Sequence, residues 1–197
     1  MTKMRVVLVV LLFITGCDWD SEPPRVVETG MLSVIDPAAC GIPEGCGPKY
    51  RIWDQELKSF MPLLGPINDS HHQLIISVRG QVVPLPPEQA IGFNYTGPFE
   101  AILAEDYVVH SSIPYHDYLV PAARTHAEAI YGCFIPWNKT FGWSLDAGVP
   151  EIWVRMTHTL SNDTPLPFVQ FTFDGRAGAL LETIDNLSGE SPCTFEL

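Results

Sequence analysis

The chain has 197 residues, of which 46% are apolar and 17% are charged, and its formal net charge is −12. This composition excludes an intrinsically disordered chain, because it supplies enough apolar surface for the core of a domain. All 23 acidic residues but only nine of the eleven Lys and Arg residues follow position 17, so this part carries a net charge of about −14. Such a charge opposes binding to nucleic acid and to anionic lipid headgroups.

The first 16 residues have the layout of a signal peptide. Lys3 and Arg5 form a short basic region, and residues 6–14 are an uninterrupted apolar run. At about 1.5 Å per residue this run covers about 14 Å, roughly half of the ~30 Å hydrocarbon core of a bilayer. The segment is therefore predicted to be an export signal and not a membrane-spanning helix.

The end of this segment, Ile14-Thr15-Gly16-Cys17, resembles the lipobox of bacterial lipoproteins. The resemblance implies cleavage after Gly16, diacylglycerol and a further acyl chain such as palmitate on Cys17, and anchoring to a membrane of the cell envelope. Asp18 resembles the signal that retains such proteins at the periplasmic face of the inner membrane. The alternative is an ordinary secretory signal, but Ile14 is an unusual residue three positions before a cleavage site.

Residues 17–29 are predicted to be the lipidated cysteine and an extended tether, because they contain Pro23-Pro24 and several charges. Residues 30–197 are then predicted to form a single β-rich globular domain. Two acyl chains on Cys17 would give stable anchoring, where one chain gives only marginal binding.

Four cysteines remain in the exported part, and an even number there suggests disulfide bonds. We favour Cys40–Cys46 and Cys133–Cys193 among the three possible connectivities. Zinc binding is the alternative, but C-x5-C is not a usual spacing for a zinc site.

All five asparagines lie in N-x-S/T triplets, at Asn68, Asn94, Asn138, Asn162 and Asn186. In a eukaryotic secreted protein these would be glycosylation acceptors, whereas in a bacterial envelope protein they are usually turn residues. The pattern is the strongest sequence argument against a bacterial assignment.

Several short strands are predicted along the body. HQLIISVRGQVV (72–83) is broken at Gly80 and reads as a hairpin or as one strand with a bulge, and EAILAEDYVVH (100–110) reads as two short strands around Glu105-Asp106. EIWVRMTHTL (151–160) and FVQFTFDG (168–175) are predicted to form an antiparallel hairpin, with Val169, Phe171 and Phe173 on one buried face.

One helix is predicted in PAARTHAEAIYG (121–132), which begins with proline and ends with glycine. Its apolar stripe would consist of Ala123, Ala127, Ile130 and Tyr131. A second, weaker helix is predicted in AGALLETIDNL (177–187). The predicted fold class is mainly β, an antiparallel sandwich or small barrel with one or two short helices.

The most polar stretch is HSSIPYHDY (110–118), in which His110 or His116, Asp117 and a hydroxyl of Ser111 or Ser112 could form a hydrolytic site. A polar loop that closes a hairpin is the favoured interpretation, since no G-x-S-x-G elbow is present.

The histidines also suggest a metal site, but His71 and His72 would point to opposite faces of a strand, and His158 reads as a sheet-face residue. The sequence therefore predicts no metal site, no cofactor and no catalytic residue that we would assign.

Aromatic rings are concentrated in PWNKTFGW (136–143), where Trp137, Phe141 and Trp143 are the candidate binding residues. Rings on an exposed loop can stack on sugars or anchor an interface, although they can also fill a core at a sheet corner. The sequence thus favours a lipid-anchored envelope lipoprotein that binds a protein or glycan partner in assembly, docking or inhibition. A periplasmic hydrolase using residues 110–117 is the alternative.

Overall fold

A computed structural model describes residues 23–36, 48–55, 59–85, 100–132, 138–146, 148–157 and 167–187 of the chain. The lipobox, all the cysteines, two of the asparagines, one of the candidate binding residues and one histidine lie outside these ranges. These residues are Cys17, Cys40, Cys46, Cys133, Cys193, Asn94, Asn162, Trp137 and His158. The lipid anchor and the disulfide pairs therefore stay predictions.

The described part is mainly β, as the sequence predicts, and consists of a barrel, a second sheet and one α-helix. The barrel strands are β1 (Arg25–Val34), β2 (Tyr50–Asp54), β3 (Ser59–Leu64), β4 (Ile75–Pro84) and β5 (Glu100–Val109). The second sheet consists of β6 (Asn138–Asp146), β7 (Val149–Thr157), β8 (Phe168–Asp174) and β9 (Leu180–Asp185). Helix α1 spans Val120–Tyr131, a 3₁₀ turn spans Asp69–His71 and a π-helical turn spans Tyr115–Leu119.

The barrel closes in the order β1-β2-β3-β5-β4, because β1 pairs with β2 through its second half and with β4 through its first half. Strands β3 and β5 pair in parallel, and the other barrel pairs are antiparallel. This strand order is that of OB-type five-stranded Greek-key barrels. Apolar side chains fill its interior, as expected for a barrel of this size: Leu32, Ile52, Leu63, Ile67, Ile76, Val78, Ile102 and Ala104.

A bulge between β4 and β5 of the barrel decides between the sequence interpretations of these two strands. The register between β4 and β5 shifts at Gly80, so that Arg79 faces Asp106 and Gly80 faces Ala104, which leaves Glu105 as the extra residue. Residues 75–84 therefore form one strand opposite a bulge on β5, and the hairpin alternative for residues 72–83 is wrong. The prediction of two short strands within residues 100–110 is wrong, because the bulge absorbs the acidic pair without ending β5.

The start of β1 also corrects the predicted tether. Residues Arg25 to Met31 pair with β4, so the last five residues of the segment 17–29 belong to the barrel. The tether can therefore extend no further than Pro24. Apolar and polar residues alternate only weakly within residues 25–34, and the apolar Val27 is exposed, so no clear pattern marked the beginning of this strand.

The second sheet contains the predicted β7–β8 hairpin, in antiparallel register. Val169, Phe171 and Phe173 are fully buried on its inner face, as the alternation indicates. Gln170 and Thr172, on the other face, are also nearly buried. Neighbouring side chains thus cover this part of the outer face, which the sequence predicted to be the exposed one.

Helix α1 covers the inner face of this sheet and agrees with the prediction from residues 121–132. It ends at Gly132, which adopts the left-handed conformation (φ 75°) that glycine tolerates. Ala123 and Ala127 are buried, but Ile130 is 53% exposed and does not belong to the packed stripe. The predicted second helix in residues 177–187 is wrong, because this segment pairs with β8 as strand β9.

The barrel and the second sheet share a core, since the outer side of the barrel packs against the inner face of the sheet and α1. Its buried members come from both β-sheets and from the helical segment: Met31, Ile75, Tyr115, Leu119, Val120, Ala123, Ala127, Ile152, Val154, Met156, Val169, Phe171, Phe173 and Leu187. The inner face of β6 to β9 is thereby closed, and the outer face of the sheet points away from the barrel.

Candidate functional site

The candidate binding residues Phe141 and Trp143 lie on strand β6 and not on an exposed loop, which agrees with the alternative that these rings pack in a core. They face the shared core, because they pair across the sheet with Val154 and Ile152, which are buried. Both rings are themselves partly buried and pack against the shared core. Their packing gives them a structural role, and their role in binding stays a prediction.

Phe141 and Trp143 continue a row of rings that begins on the barrel. Phe60 and Trp53 are cross-strand partners on β3 and β2, and their ring centroids are 4.8 Å apart in an edge-to-face arrangement. Trp53 lies 6.2 Å from Phe141, and Phe141 stacks on Trp143 at 5.9 Å. We call these four residues the aromatic ladder.

The ladder lies at the junction between the barrel and the second sheet. Phe60 is 42% exposed, while the other three rings are half-buried. Gln55 fixes the Trp143 end of the ladder, because its Oε1 accepts a hydrogen bond from the backbone N–H of Trp143 at 2.9 Å. The sequence analysis missed Trp53 and Phe60. Their spacing around the mostly polar residues 54–59 was the signal that could have predicted a cross-strand pair.

The polar stretch 110–118 does not assemble a hydrolytic site. Ser111 is 2% exposed, and its Oγ accepts the backbone N–H of Ile75 at 2.8 Å. The backbone N–H groups of His116 and Asp117 both donate to Oε1 of Gln73, at 2.7 and 3.1 Å, while both side chains are exposed. These contacts fix the π-helical turn against the barrel, and within the described residues no hydroxyl hydrogen-bonds to the His116 ring.

His110 instead contacts a serine on the barrel. Its Nε2 lies 2.7 Å from Oγ of Ser77, whose hydroxyl is 2.6 Å from Oγ1 of Thr29. Burial lowers the pKa of His110, and the charge of Arg176 lowers it further. A neutral imidazole next to a serine is one part of a nucleophilic site. Within the described ranges, however, no carboxylate hydrogen-bonds to the His110 ring.

The 3₁₀ turn caps one end of the barrel with a polar cluster. Asp69 accepts hydrogen bonds from Nζ of Lys49 at 2.5 Å and from the hydroxyl of Tyr50 at 2.7 Å. These two bonds, with that of Lys49 the stronger influence, lower the pKa of Asp69. His71 contacts the hydroxyl of Tyr107 at 3.1 Å.

The second histidine of the pair has a different role. Nδ1 of His72 accepts the backbone N–H of Val34 at 3.0 Å, so this ring ties the turn to β1. Within the described residues no group of three or more His, Cys, Asp or Glu side chains is placed to hold a metal ion.

The outer face of the second sheet carries a further group of aromatic and polar side chains. The guanidinium carbon of Arg155 lies 5.3 Å from the ring centroid of Trp153 and 4.4 Å from that of Phe168. Nε and Nη2 of Arg155 donate to Oε1 of Gln170 at 2.9 and 2.7 Å. We call Trp153, Arg155, Phe168 and Gln170 the outer-face cluster.

The sequence analysis did not single out the outer-face cluster, although a signal was present. In EIWVRMT, residues Ile152, Val154 and Met156 alternate with Trp153 and Arg155. Once the three aliphatic residues are assigned to the core, the period of two places the tryptophan and the arginine together on the opposite face.

Comparisons with known proteins give no relative. No family model, no curated protein and no solved structure matches this chain. Among the described helices, none has both the length and the apolar character needed to cross a bilayer.

Proposed function

We propose that this chain is a membrane-anchored envelope lipoprotein whose β-rich body acts by binding a protein or glycan partner. The lipobox resemblance supports the anchor on Cys17. The anchor would hold the body at the membrane surface, with the periplasmic face of the inner membrane favoured by Asp18. The negative net charge of the body argues against a nucleic acid partner.

The observation that carries the binding proposal is the aromatic ladder. Four rings from three strands form a continuous row that starts at an exposed phenylalanine. Large aromatic side chains are common anchors of interfaces, because each buries much apolar area at a low cost in conformational entropy. Trp137, the third candidate binding residue from the sequence, lies outside the described residues.

The position of the ladder on the barrel gives additional support, by analogy of fold alone. In OB-type barrels the outer face of the second and third strands commonly binds oligosaccharides or oligonucleotides. Trp53 and Phe60 lie on these two strands and on the outside of the barrel. Since the charge of this chain opposes oligonucleotides, an oligosaccharide or a protein segment is the better fit.

The hydrolase alternative has less support. It requires a histidine, an aspartate and a hydroxyl of residues 110–117 to converge, whereas Ser111 is used as a buried hydrogen-bond acceptor and His116 and Asp117 are exposed. The Ser77–His110 pair is the remaining hydroxyl–imidazole contact. It lies on the outside of the barrel and lacks an orienting carboxylate among the described residues.

The proposal can be tested by recovering partners with the lipidated, full-length protein from its own membranes. Phe60→Ala removes the exposed ring of the ladder, and we expect it to reduce recovery of the partner at least tenfold. Tyr118→Ala is the matched control, because Tyr118 is 48% exposed and lies outside the ladder. Equal recovery with both variants would contradict the assignment of the ladder as the binding surface.

A further inference from the structure

The outer-face cluster lies on the opposite side of the second sheet from the ladder residues of β6. Trp153 is flanked along β7 by Glu151 and Arg155, and Thr172 faces it across β8. Because directly paired residues of antiparallel strands point to the same side, these four side chains share one face. Glu182 and Ile184 of β9 extend the same face towards the edge of the sheet.

Neighbouring residues hold the cluster in place. The indole of Trp153 reaches over β6, and its atoms Cζ2, Cε2 and Nε1 occupy the space that a side chain at Gly142 would need. The absence of a side chain at Gly142 thereby allows the indole to pack on edge strand β6, where it covers the backbone. Arg155 is held between two rings and by two hydrogen bonds to one amide oxygen.

We infer that the outer-face cluster is a binding site for an uncharged glycan chain, which goes beyond the proposed role of the ladder. A pyranose ring has an apolar face of C–H groups and an edge of hydroxyl groups. The partly positive C–H groups are attracted to the negative face of an aromatic ring, and the hydroxyl groups both donate and accept hydrogen bonds.

The cluster supplies each of these partners at short range. Trp153 and Phe168 are the rings; Arg155 covers one face of each, and both are only half-buried, so a sugar unit would contact the part of each ring that stays exposed. Within the described residues, Nη1 of Arg155 makes no hydrogen bond and remains a donor for hydroxyl groups. The carboxylates of Glu151 and Glu182, both exposed, are acceptors on the same face.

The charges of this face favour an uncharged ligand. One arginine is accompanied by Glu151, Glu182 and Asp174 on strands β7 to β9, and the whole chain carries a net charge of −12. A polyanion would therefore be repelled, whereas a neutral polyol can use the donors and the acceptors together. Because Trp153 packs against Gly142 and Arg155 is held by Gln170, little ordering of these two side chains is needed on binding.

Affinity electrophoresis of the mature chain tests the inference. Native gels would contain hydroxyethyl cellulose or glycol chitin as soluble neutral polysaccharides, and alginate as the anionic comparison. We expect at least one neutral polymer, and not alginate, to retard the protein. Arg155→Ala should weaken this retardation at least tenfold, while Tyr118→Ala, at an exposed residue outside both surfaces, should leave it unchanged.

Trp153→Phe provides a second readout, since it keeps a ring at this position of β7. The wild type should change its tryptophan fluorescence when cellohexaose or chitohexaose is added, and Trp153→Phe should lose most of that change while its melting temperature stays close to that of the wild type. Such a result requires the sugar to lie next to this indole. If Trp153 had only a structural role, the fluorescence change would not depend on it.

Several results would overturn the inference. These are no retardation by either neutral polymer, retardation by alginate alone, or unchanged retardation in Arg155→Ala. Retardation that is lost in Phe60→Ala but kept in Arg155→Ala would place the glycan on the ladder, which contradicts this inference and supports the proposed function. Loss of a recovered protein partner in Arg155→Ala, without glycan binding, would make this face a protein interface.

Discussion

Replacing Ser111 with alanine should destabilise the fold, because its hydroxyl accepts a hydrogen bond from a buried backbone N–H. Ser111 is 2% exposed and Ile75, whose N–H donates to it at 2.8 Å, is 1% exposed. Alanine would leave this N–H without its acceptor, and an unsatisfied buried donor costs about 1–3 kcal/mol. The free energy of unfolding should fall by that amount.

Urea denaturation of the mature chain would measure this loss. With a denaturant dependence of about 2 kcal/mol per M, the midpoint should move down by about 0.5–1.5 M. Ser112→Ala is the matched control, because Ser112 is exposed and its substitution should change the stability by less than about 0.5 kcal/mol. Equal midpoints for the two variants would refute the argument that Ser111 has a structural role and would reopen its candidacy as a nucleophile.

Three further predictions concern the anchor, the cysteines and acid stability. Cys17→Ser should give an unprocessed precursor without lipid, which mass spectrometry would detect; a wild-type mass without acyl groups would contradict the lipobox. Cys133→Ala should lower the melting temperature more than Cys40→Ala, because a disulfide to Cys193 would close the longer loop; four free thiols in the denatured, unreduced protein would exclude both pairs. Asp69 has a lowered pKa in the folded state, chiefly because it accepts a hydrogen bond from Lys49. Its stabilisation of the fold is therefore fully present above the unfolded pKa of about 3.9 and is lost as the pH falls through the lower folded pKa. Asp69→Asn should therefore show a smaller decrease in urea midpoint below pH 4 than the wild type, and parallel pH profiles would count against this ion pair.

The elements that the sequence predicted are those in which a local pattern and the tertiary environment agree. The β7–β8 hairpin alternates between aliphatic and other residues, and the sheet indeed buries one set. Helix α1 has a proline near its start and a glycine at its end, and both positions have the predicted geometry. Even here the predicted stripe was only partly right, because Ile130 is exposed and is not among the residues that pack in the shared core.

The elements that were missed depend on contacts between distant parts of the chain. Residues 180–185 have no strong preference for helix or strand, and pairing with β8 decides the outcome. The closure of the barrel rests on β1, whose two halves pair with β2 and β4, and on the parallel pairing of β3 with β5. Such pairings follow from no pattern within a single segment.

The candidate surfaces were also only partly predictable. The sequence indicated Phe141 and Trp143 from their local density, but not that they would meet Trp53 and Phe60, which are 81 to 90 residues away along the chain. The local density of polar residues likewise indicated a possible site in 110–117, yet its hydroxyl and imidazole groups bond to different partners. A high local density of such residues therefore marked part of the aromatic ladder at 141–143, but only a structural turn at 110–117.

The start of β1 at Arg25 limits where the two proposed surfaces can act. If Cys17 carries the lipid, seven residues connect it to the barrel, and seven extended residues span at most about 25 Å. The body would then remain close to the bilayer, while its negative charge keeps it from anionic headgroups. Because the ladder residues of β6 and the outer-face cluster lie on opposite faces of one sheet, a partner on one surface leaves the other accessible. Simultaneous binding is therefore expected, and competition between a recovered partner and a neutral oligosaccharide would show that the two surfaces are not independent.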